Sequence, residues 1–580
     1  MFDIVIKNGL ICDGTGGPIY LADIGITGDV ITYIGEISLT DDDSKDCKVI
    51  DAAGKTVTPG FIDPHTHVDQ SILTAPAMEP YLKQGVTTVV TGNCGYGMAP
   101  QGEEVFYCSD LDQEFLNLAG ADPFALLSLL FDREKAAAAY QKRYGVGLDW
   151  RSFDAFNRKC DELPLGGNLA PLIGYSAVRT AVMGRDCMRQ AAEGEVASLE
   201  SVTRDCMEAG AFGISTGRDP MYIPGPFAAD DEMNRMLQVV ARYGGIFASH
   251  TFNCNGQGQP DRLAGYGEMV RQAGDTGIKM NISHVHVMNM ARDGAEAVKA
   301  AKETMDYFDR LVASGIDLSY DVIPSASCSD YTLTSCGYYL RSLVLMAGTR
   351  KKLGELFRQE AFRQRVRQIV KEGKMPILDE SSDTCWLGEL FITKHSNPAY
   401  AGQYLHHCAE KRNLSALDGL MAVFAEDPDM TADLAAPDFQ QSVDLLCSSE
   451  IAMPCSDGSS YSKDTNLSGN AEIGVYPNSM NISYIPRYLN RYGKKDFAKA
   501  VSLASGFVAQ RFGIEKRGVI KEGSFADLVV MDRTLLRSFD EEENPLQDPE
   551  GILYVLINGQ IAVENNVLTK EAAGRVLRKK

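Results

Sequence analysis

Over the first 57 residues, apolar and polar positions alternate in short runs at 3–7, 22–27 and 30–34. Glycine-rich turns (Asp13-Gly14-Thr15-Gly16-Gly17 and Thr27-Gly28-Asp29) separate them, which predicts strands of a small all-β unit. So short a stretch cannot bury a sizeable core alone. Residues 523–532 and 552–560 repeat the pattern at the other end. The simplest arrangement joins 1–57 and 514–580 in one β-sandwich, with residues 58–513 inserted as a second domain.

The inserted domain changes period. Short apolar runs at 61–63, 86–91, 169–174, 211–215, 245–249, 279–283, 317–321 and 451–456 have the composition of strands buried on both faces. Amphipathic helical stretches at 191–209, 230–243, 262–272 and 295–313 lie between several of them. Eight strands with intervening helices predict an α/β fold, a (β/α)8 TIM-like barrel, with its site at the C-terminal strand ends. A doubly wound open sheet is the alternative, but it would usually carry a Gly-rich phosphate loop, and none is found. Two segments break the repeat: 101–160, expected to be largely helical (122–144), and 326–450, expected to be a mostly helical excursion. Both leave from C-terminal strand ends and are candidate walls or lids.

Composition adds mainly exclusions. A chain of 580 residues exceeds one simple core. A formal charge of −22 argues against nucleic acid or an anionic membrane as partner. The N-terminal run lacks a basic region and ends too soon for a signal peptide, and no window has the apolar length to span a bilayer. The 14 cysteines are scattered without a C-x-x-C pair, which reads as reduced thiols and a cytoplasmic location.

Candidate chemistry collects at the expected strand ends. After the first strand comes His65-Thr66-His67, two imidazoles two positions apart and so on one side of an extended chain, able to share a cation. The second strand ends in Gly92-Asn93-Cys94-Gly95, the fifth in Ser249-His250, the sixth in Ser283-His284-Val285-His286 and the eighth in Ser456-Asp457-Gly458. Five of the eight histidines thus fall at three strand ends, which packing explains poorly because a buried imidazole needs a partner for each nitrogen. Cys94 alone would be a small buried apolar residue and Asp457-Gly458 an ordinary turn; their setting beside the histidines favours ligation instead. His286 is ligand or pocket wall. His395, His406 and His407, in the excursion, are expected at the surface.

These stretches, with Gly85-Val86-Thr87-Thr88-Val89-Val90-Thr91, Gly213-Ile214-Ser215-Thr216-Gly217 and the tail run Gly523-Ser524-Phe525-Ala526-Asp527, resemble the N-acyl-D-amino-acid deacylase (D-aminoacylase) family of the amidohydrolase superfamily over nearly the whole chain. The H-x-H element belongs to the superfamily at large; the Gly-Asn-Cys-Gly turn is more particular to this family. The resemblance implies a barrel with a flanking β-sandwich, and a tightly held zinc on Cys94, His250 and His284. It places His65, His67 and Asp457 around a second, weaker or empty position. Strand four carries no lysine, so Cys94 stands in for the carboxylated lysine of related enzymes.

The implied activity is hydrolysis of a non-peptide C–N bond in a small-molecule amide by metal-bound hydroxide, since zinc lowers the pKa of its water. Asp457 serves as base and then acid. The recognition shell departs from the family pattern at His286, at Thr251-Phe252, at Asp321-Val322-Ile323-Pro324-Ser325 and at Tyr476-Pro477-Asn478. His286, Ser325 and Asn478 are the candidate substrate contacts. The alternatives are a cyclic amide or ureide hydrolase of the hydantoinase or dihydropyrimidinase type, which usually needs the missing lysine, and a catalytically silent binding barrel.

Overall fold

A computed structural model describes the chain except residues 1, 40–46, 108–131, 219–221, 223, 252–261, 288–290, 292, 327–330, 333–339, 372–386, 388–389, 434–436, 464–478, 540–545 and 570–571. Strands run in chain order as follows. The N-terminal part contributes β1 (Ile4–Ile11), β2 (Tyr20–Thr27), β3 (Val30–Gly35), β4 (Lys48–Asp51) and β5 (Thr56–Pro59). The middle contributes β6 (Phe61–Asp63), β7 (Val86–Thr91), β8 (Asn168–Pro171), β9 (Ile173–Gly174), β10 (Gly213–Gly217), β11 (Ile246–His250), β12 (Lys279–Ile282) and β13 (Leu318–Val322). Then follow β14 (Tyr331–Thr332), β15 (Phe391–Lys394), β16 (Gln403–Tyr404), β17 (Thr431–Asp433) and β18 (Ala452–Pro454). The C-terminal part holds β19 (Leu528–Met531), β20 (Ile552–Ile557), β21 (Gln560–Glu564) and β22 (Val567–Leu568).

Both ends of the chain share one nine-stranded sheet, in the order β22-β21-β20-β19-β5-β1-β2-β3 with β4 beside β1. The antiparallel pairing of β5 with β19 joins the two halves, and Ile6, Ile24, Val57, Leu528 and Leu556 form a core common to both. Neither half could bury these side chains alone, at about 2 kcal/mol for each one removed from water.

In the middle of the chain, β9 to β13 and β18 form a six-stranded sheet whose pairs are all parallel, and β6-β7-β8 a second parallel sheet. Only Leu172 separates β8 from β9, so the two sheets are continuous in the chain. Across the other gap, Thr66 bridges Gly458 in parallel; Asp457 N–H donates to the His65 carbonyl at 3.1 Å and His67 N–H to that of Gly458 at 2.8 Å. Alternation of side chains sends neighbours to opposite faces. Val89 and Phe247 pack with the surrounding helices, while their neighbours Val90, Ile246 and Ala248 pack in a separate cluster with Phe512 of helix Gly506–Phe512. With both faces covered, the strands read as apolar runs.

Helices Glu193–Glu208, Asp230–Arg242, Arg262–Thr276 and Gly294–Ala313 fall within a few residues of the predicted stretches. Between 101 and 160 the described helices are Arg133–Tyr144 and the start of Phe153–Asp161; the expected helix over 122–131 lies outside the described residues. The 326–450 excursion is not simply helical. It contains its own sheet, β14-β17-β15-β16, and its own core built on Leu353, Phe357, Leu420 and Phe424. The sequence hid these strands because they are two to four residues long and gain their burial only against the local helices. Among the described residues no helix is long and apolar enough to cross a membrane.

Candidate metal centre

Six side chains with metal-ligand chemistry leave the C-terminal ends of five strands and meet. His65 and His67 follow β6, Cys94 follows β7, His250 ends β11, His284 follows β12 and Asp457 follows β18. Cys94 Sγ lies 3.3 Å from His65 Nε2, 3.6 Å from His284 Nε2 and 3.9 Å from His250 Nδ1, and His250 Nδ1 is 2.8 Å from His284 Nε2. On the other side, Asp457 Oδ1 is 3.0 Å from His67 Nε2 and 3.3 Å from His65 Nε2. Two three-residue groups able to hold an ion result, His65–Cys94–His284 and His65–His67–Asp457, with His65 common to both.

The local backbone is built for this convergence. Cys94, His284 and Asp457 all adopt left-handed conformations, with φ of 55°, 31° and 53°. Such residues cost energy and persist where the surroundings hold them. The Cys94 turn also needs its glycines. At Gly92 (φ 76°) a Cβ would sit 2.6 Å from the Leu172 carbonyl oxygen, and at Gly95 (φ 76°) 2.7 Å from the Gly217 nitrogen. Asp69 Oδ1 accepts the Gly92 N–H at 3.0 Å, tying the turn to the helix that follows His67.

Charge in the cluster is shared rather than isolated. Burial works against a thiolate at Cys94, but the charge of His65 and hydrogen bonds with His250, His284 and His65 hold its pKa well below the ordinary thiol range. Burial also opposes an imidazolium at His65, and Asp321, Cys94 and Asp457 outweigh it and raise that pKa well above the usual value. His67 is raised to about 10 against desolvation, through its hydrogen bonds with Asp457 and Cys94. Desolvation raises the Asp457 carboxyl, but the His65 charge and the His67 hydrogen bond leave it lower than usual.

The donor set fits a zinc ion. Thiolate about 2.3 Å and imidazole about 2.0 Å from a tetrahedral zinc would lie about 3.3–3.6 Å apart, close to the Cys94–His65 and Cys94–His284 spacings. A group of imidazoles, one thiolate and one carboxylate is the ligand chemistry zinc prefers.

His286 is half-buried, its ring stacked 6.3 Å from that of His284. Ser325 is buried in the turn after β13. Asn478 lies outside the described residues. His407 is exposed as expected, whereas His395 and His406 are half-buried, and His395 Nε2 is 3.2 Å from the Val423 carbonyl.

The sequence left several supporting residues unassigned. Asp321, at the end of β13, accepts the His284 N–H and an Asn281 N–H, each at 2.6 Å, and lies 3.2 Å from His65 Nδ1. Tyr222 packs on the His250 ring at 4.2 Å and on Tyr96 at 5.1 Å, and Tyr96 in turn on His67 at 5.9 Å. A carboxylate closing an apolar strand was a visible signal for Asp321; nothing local marked the tyrosines.

Comparison with known proteins follows the same lines. The model of the amidohydrolase family matches residues 48–327. The chain is 28% identical to D-aminoacylase of Alcaligenes xylosoxydans xylosoxydans, over 99% of this chain and 97% of that one. It is 27% identical to N-acyl-D-glutamate deacylase of the same organism, over 100% and 96%. Among solved structures, one of D-aminoacylase superposes over the whole of both chains with a TM-score of 0.67 at 27% identity. That enzyme is described as having a binuclear metal center with one-metal activation and second-metal attenuation.

Proposed function

We propose that the chain is a zinc-dependent amidohydrolase of the D-aminoacylase kind, a deacylase of N-acyl-D-amino acids or closely related linear amides. The observation that carries the reading is the meeting of Cys94, His65, His284 and His250 within 3.9 Å of the thiol sulfur, with Asp457 on the adjoining side. The eight strand positions of the middle domain are read as a closed (β/α)8 barrel, supported by the Thr66–Gly458 bridge. The division is taken as 1–57 and 514–580 for the terminal unit and 58–513 for the barrel, a boundary that falls inside β5, which runs on to Pro59 in the terminal sheet.

Cys94, His250 and His284, with His65 beside them, would hold a tight zinc; His65, His67 and Asp457 would line a weaker position. What a bound zinc supplies is Lewis acidity, a lower pKa for water and a polarised amide carbonyl. The residues do the rest. Asp457, ionised and half-buried, takes the proton of the attacking water on an oxygen and returns it to the leaving nitrogen. His67 Nε2, 3.0 Å from Asp457 Oδ1, would hold that carboxylate in place and help a bound metal stabilise the developing oxyanion. Tyr96 and Tyr222 keep water from one side of the cluster. His286 and Ser325, together with Asn478, would contact substrate groups.

The test is metal analysis of the purified protein coupled to a panel of N-acyl-D- and N-acyl-L-amino acids with a cyclic imide for contrast. Near one equivalent of zinc and turnover confined to D-substrates is the expected result. Less than about half an equivalent, with turnover insensitive to chelator, would overturn the reading.

A further inference from the structure

Asp63 closes β6 and is fully buried. Its Oδ1 accepts the His65 N–H at 3.1 Å. The Ser456 N–H points at the same carboxylate, 3.2 Å from Oδ2 and 3.4 Å from Oδ1. One side chain therefore grips two turns at once, the one that carries His65 and the one that carries Asp457. Those turns come from the first and the last strand of the parallel set, and their backbones meet through the Asp457–His65 and His67–Gly458 hydrogen bonds. Ser456 extends the grip: its Oγ accepts the Gly458 N–H at 3.1 Å and lies 3.1 Å from the Tyr81 hydroxyl. Asp457 sits between them at φ 53°, a conformation its own backbone does not prefer. Its orientation must be imposed by neighbours, and Asp63 is the buried side chain placed to impose it.

We propose that Asp63 is a positioning residue, a clamp across the seam of the barrel that aims Asp457 at the substrate. It deepens the assignment of Asp457 as proton carrier, and rests on it. The two halves of the grip are separable. In Asp63→Asn one oxygen remains to accept the His65 N–H, while the amide nitrogen puts a donor opposite the Ser456 N–H. The metal side keeps its anchor and the Asp457 side loses one.

The experiment compares zinc-loaded wild type, Asp63→Asn, Ser456→Ala and Asp457→Asn, by hydrolysis of N-acetyl-D-methionine, bound metal, and amide hydrogen exchange over residues 455–459. For Asp63→Asn, kcat should fall about ten- to hundredfold at unchanged KM and unchanged bound metal, the size of effect expected when a reacting group is misplaced. Exchange at 456–458 should quicken while the rest of the protein keeps its protection. Ser456→Ala, which loosens the same turn with Asp63 intact, should show the same signature more weakly, and it carries the test if Asp63→Asn does not fold. Loss of kcat in step with loss of metal, or wild-type kcat and exchange in both variants, would overturn the clamp. Asp457→Asn separates the layers. If it keeps full turnover, the proton-carrier assignment fails; if it is inactive while Asp63→Asn turns over normally, only the clamp fails.

Discussion

Cys94 Sγ and His65 Nε2 lie 3.3 Å apart, buried from water, from the ends of adjacent parallel strands 29 positions apart in the chain. A thiolate beside an imidazolium is stable there because each lowers the cost of desolvating the other's charge. It is also the arrangement an ion would replace, with His65 reaching both candidate positions.

Replacing that thiol tests the tight position. Cys94→Ser keeps the turn and removes the soft ligand, so bound zinc should drop below half an equivalent and turnover by about a hundredfold or more. Metal analysis beside a steady-state assay reads both.

Asp321 would act on a bound metal through His65 and His284. Asp321→Asn leaves its volume and changes what it offers to His65 Nδ1 and the His284 N–H, so zinc affinity should weaken about 10–100-fold. Competition with a chromogenic chelator measures it, and wild-type affinity would show that Asp321 does not orient the ligands.

The charge on His67 gives the metal-free protein a pH signature. Its pKa rises from 6.5 in the unfolded chain to about 10 in the fold. The stabilising contribution is complete below pH 6.5 and is lost as pH rises through about 10, because the folded state then gives up the proton it had bound more tightly. The melting temperature of the metal-free form should fall between these limits, and His67→Asn should flatten the slope. The same proton must leave when metal enters the His67 position, so calorimetry in buffers of different ionisation enthalpy should detect proton release.

Where the nine-stranded sheet meets β8, a different buried pair contributes to stability. Arg517 contacts Asp527, both nearly inaccessible, and Asp527 also accepts hydrogen bonds from Asn168 of β8 and the Asn558 backbone. Asp527→Ala leaves the Arg517 charge buried and should cost about 3–5 kcal/mol. Thermal unfolding reads the loss; turnover per folded molecule, measured with metal saturating, should be unchanged.

Local patterns along the chain were enough for part of the architecture and of the candidate site. Period-two alternation marked the terminal strands, and apolar runs between amphipathic helices marked the parallel ones, because strand and helix periods leave different traces when a face is buried. His65, His67, Cys94, His250, His284 and Asp457 were legible because polar metal-type residues at the ends of apolar strands have no packing role. The rest depended on how separate segments pack. That β5 pairs with β19, that His65 belongs to both ion positions, that the 326–450 excursion folds on a core and sheet of its own, and that Asp63, Asp321 and Tyr222 stand behind the ligands are all contacts between distant segments. Local sequence constrains a residue's conformation and the face it shows, while its partner in another segment is chosen by how whole strands and helices pack.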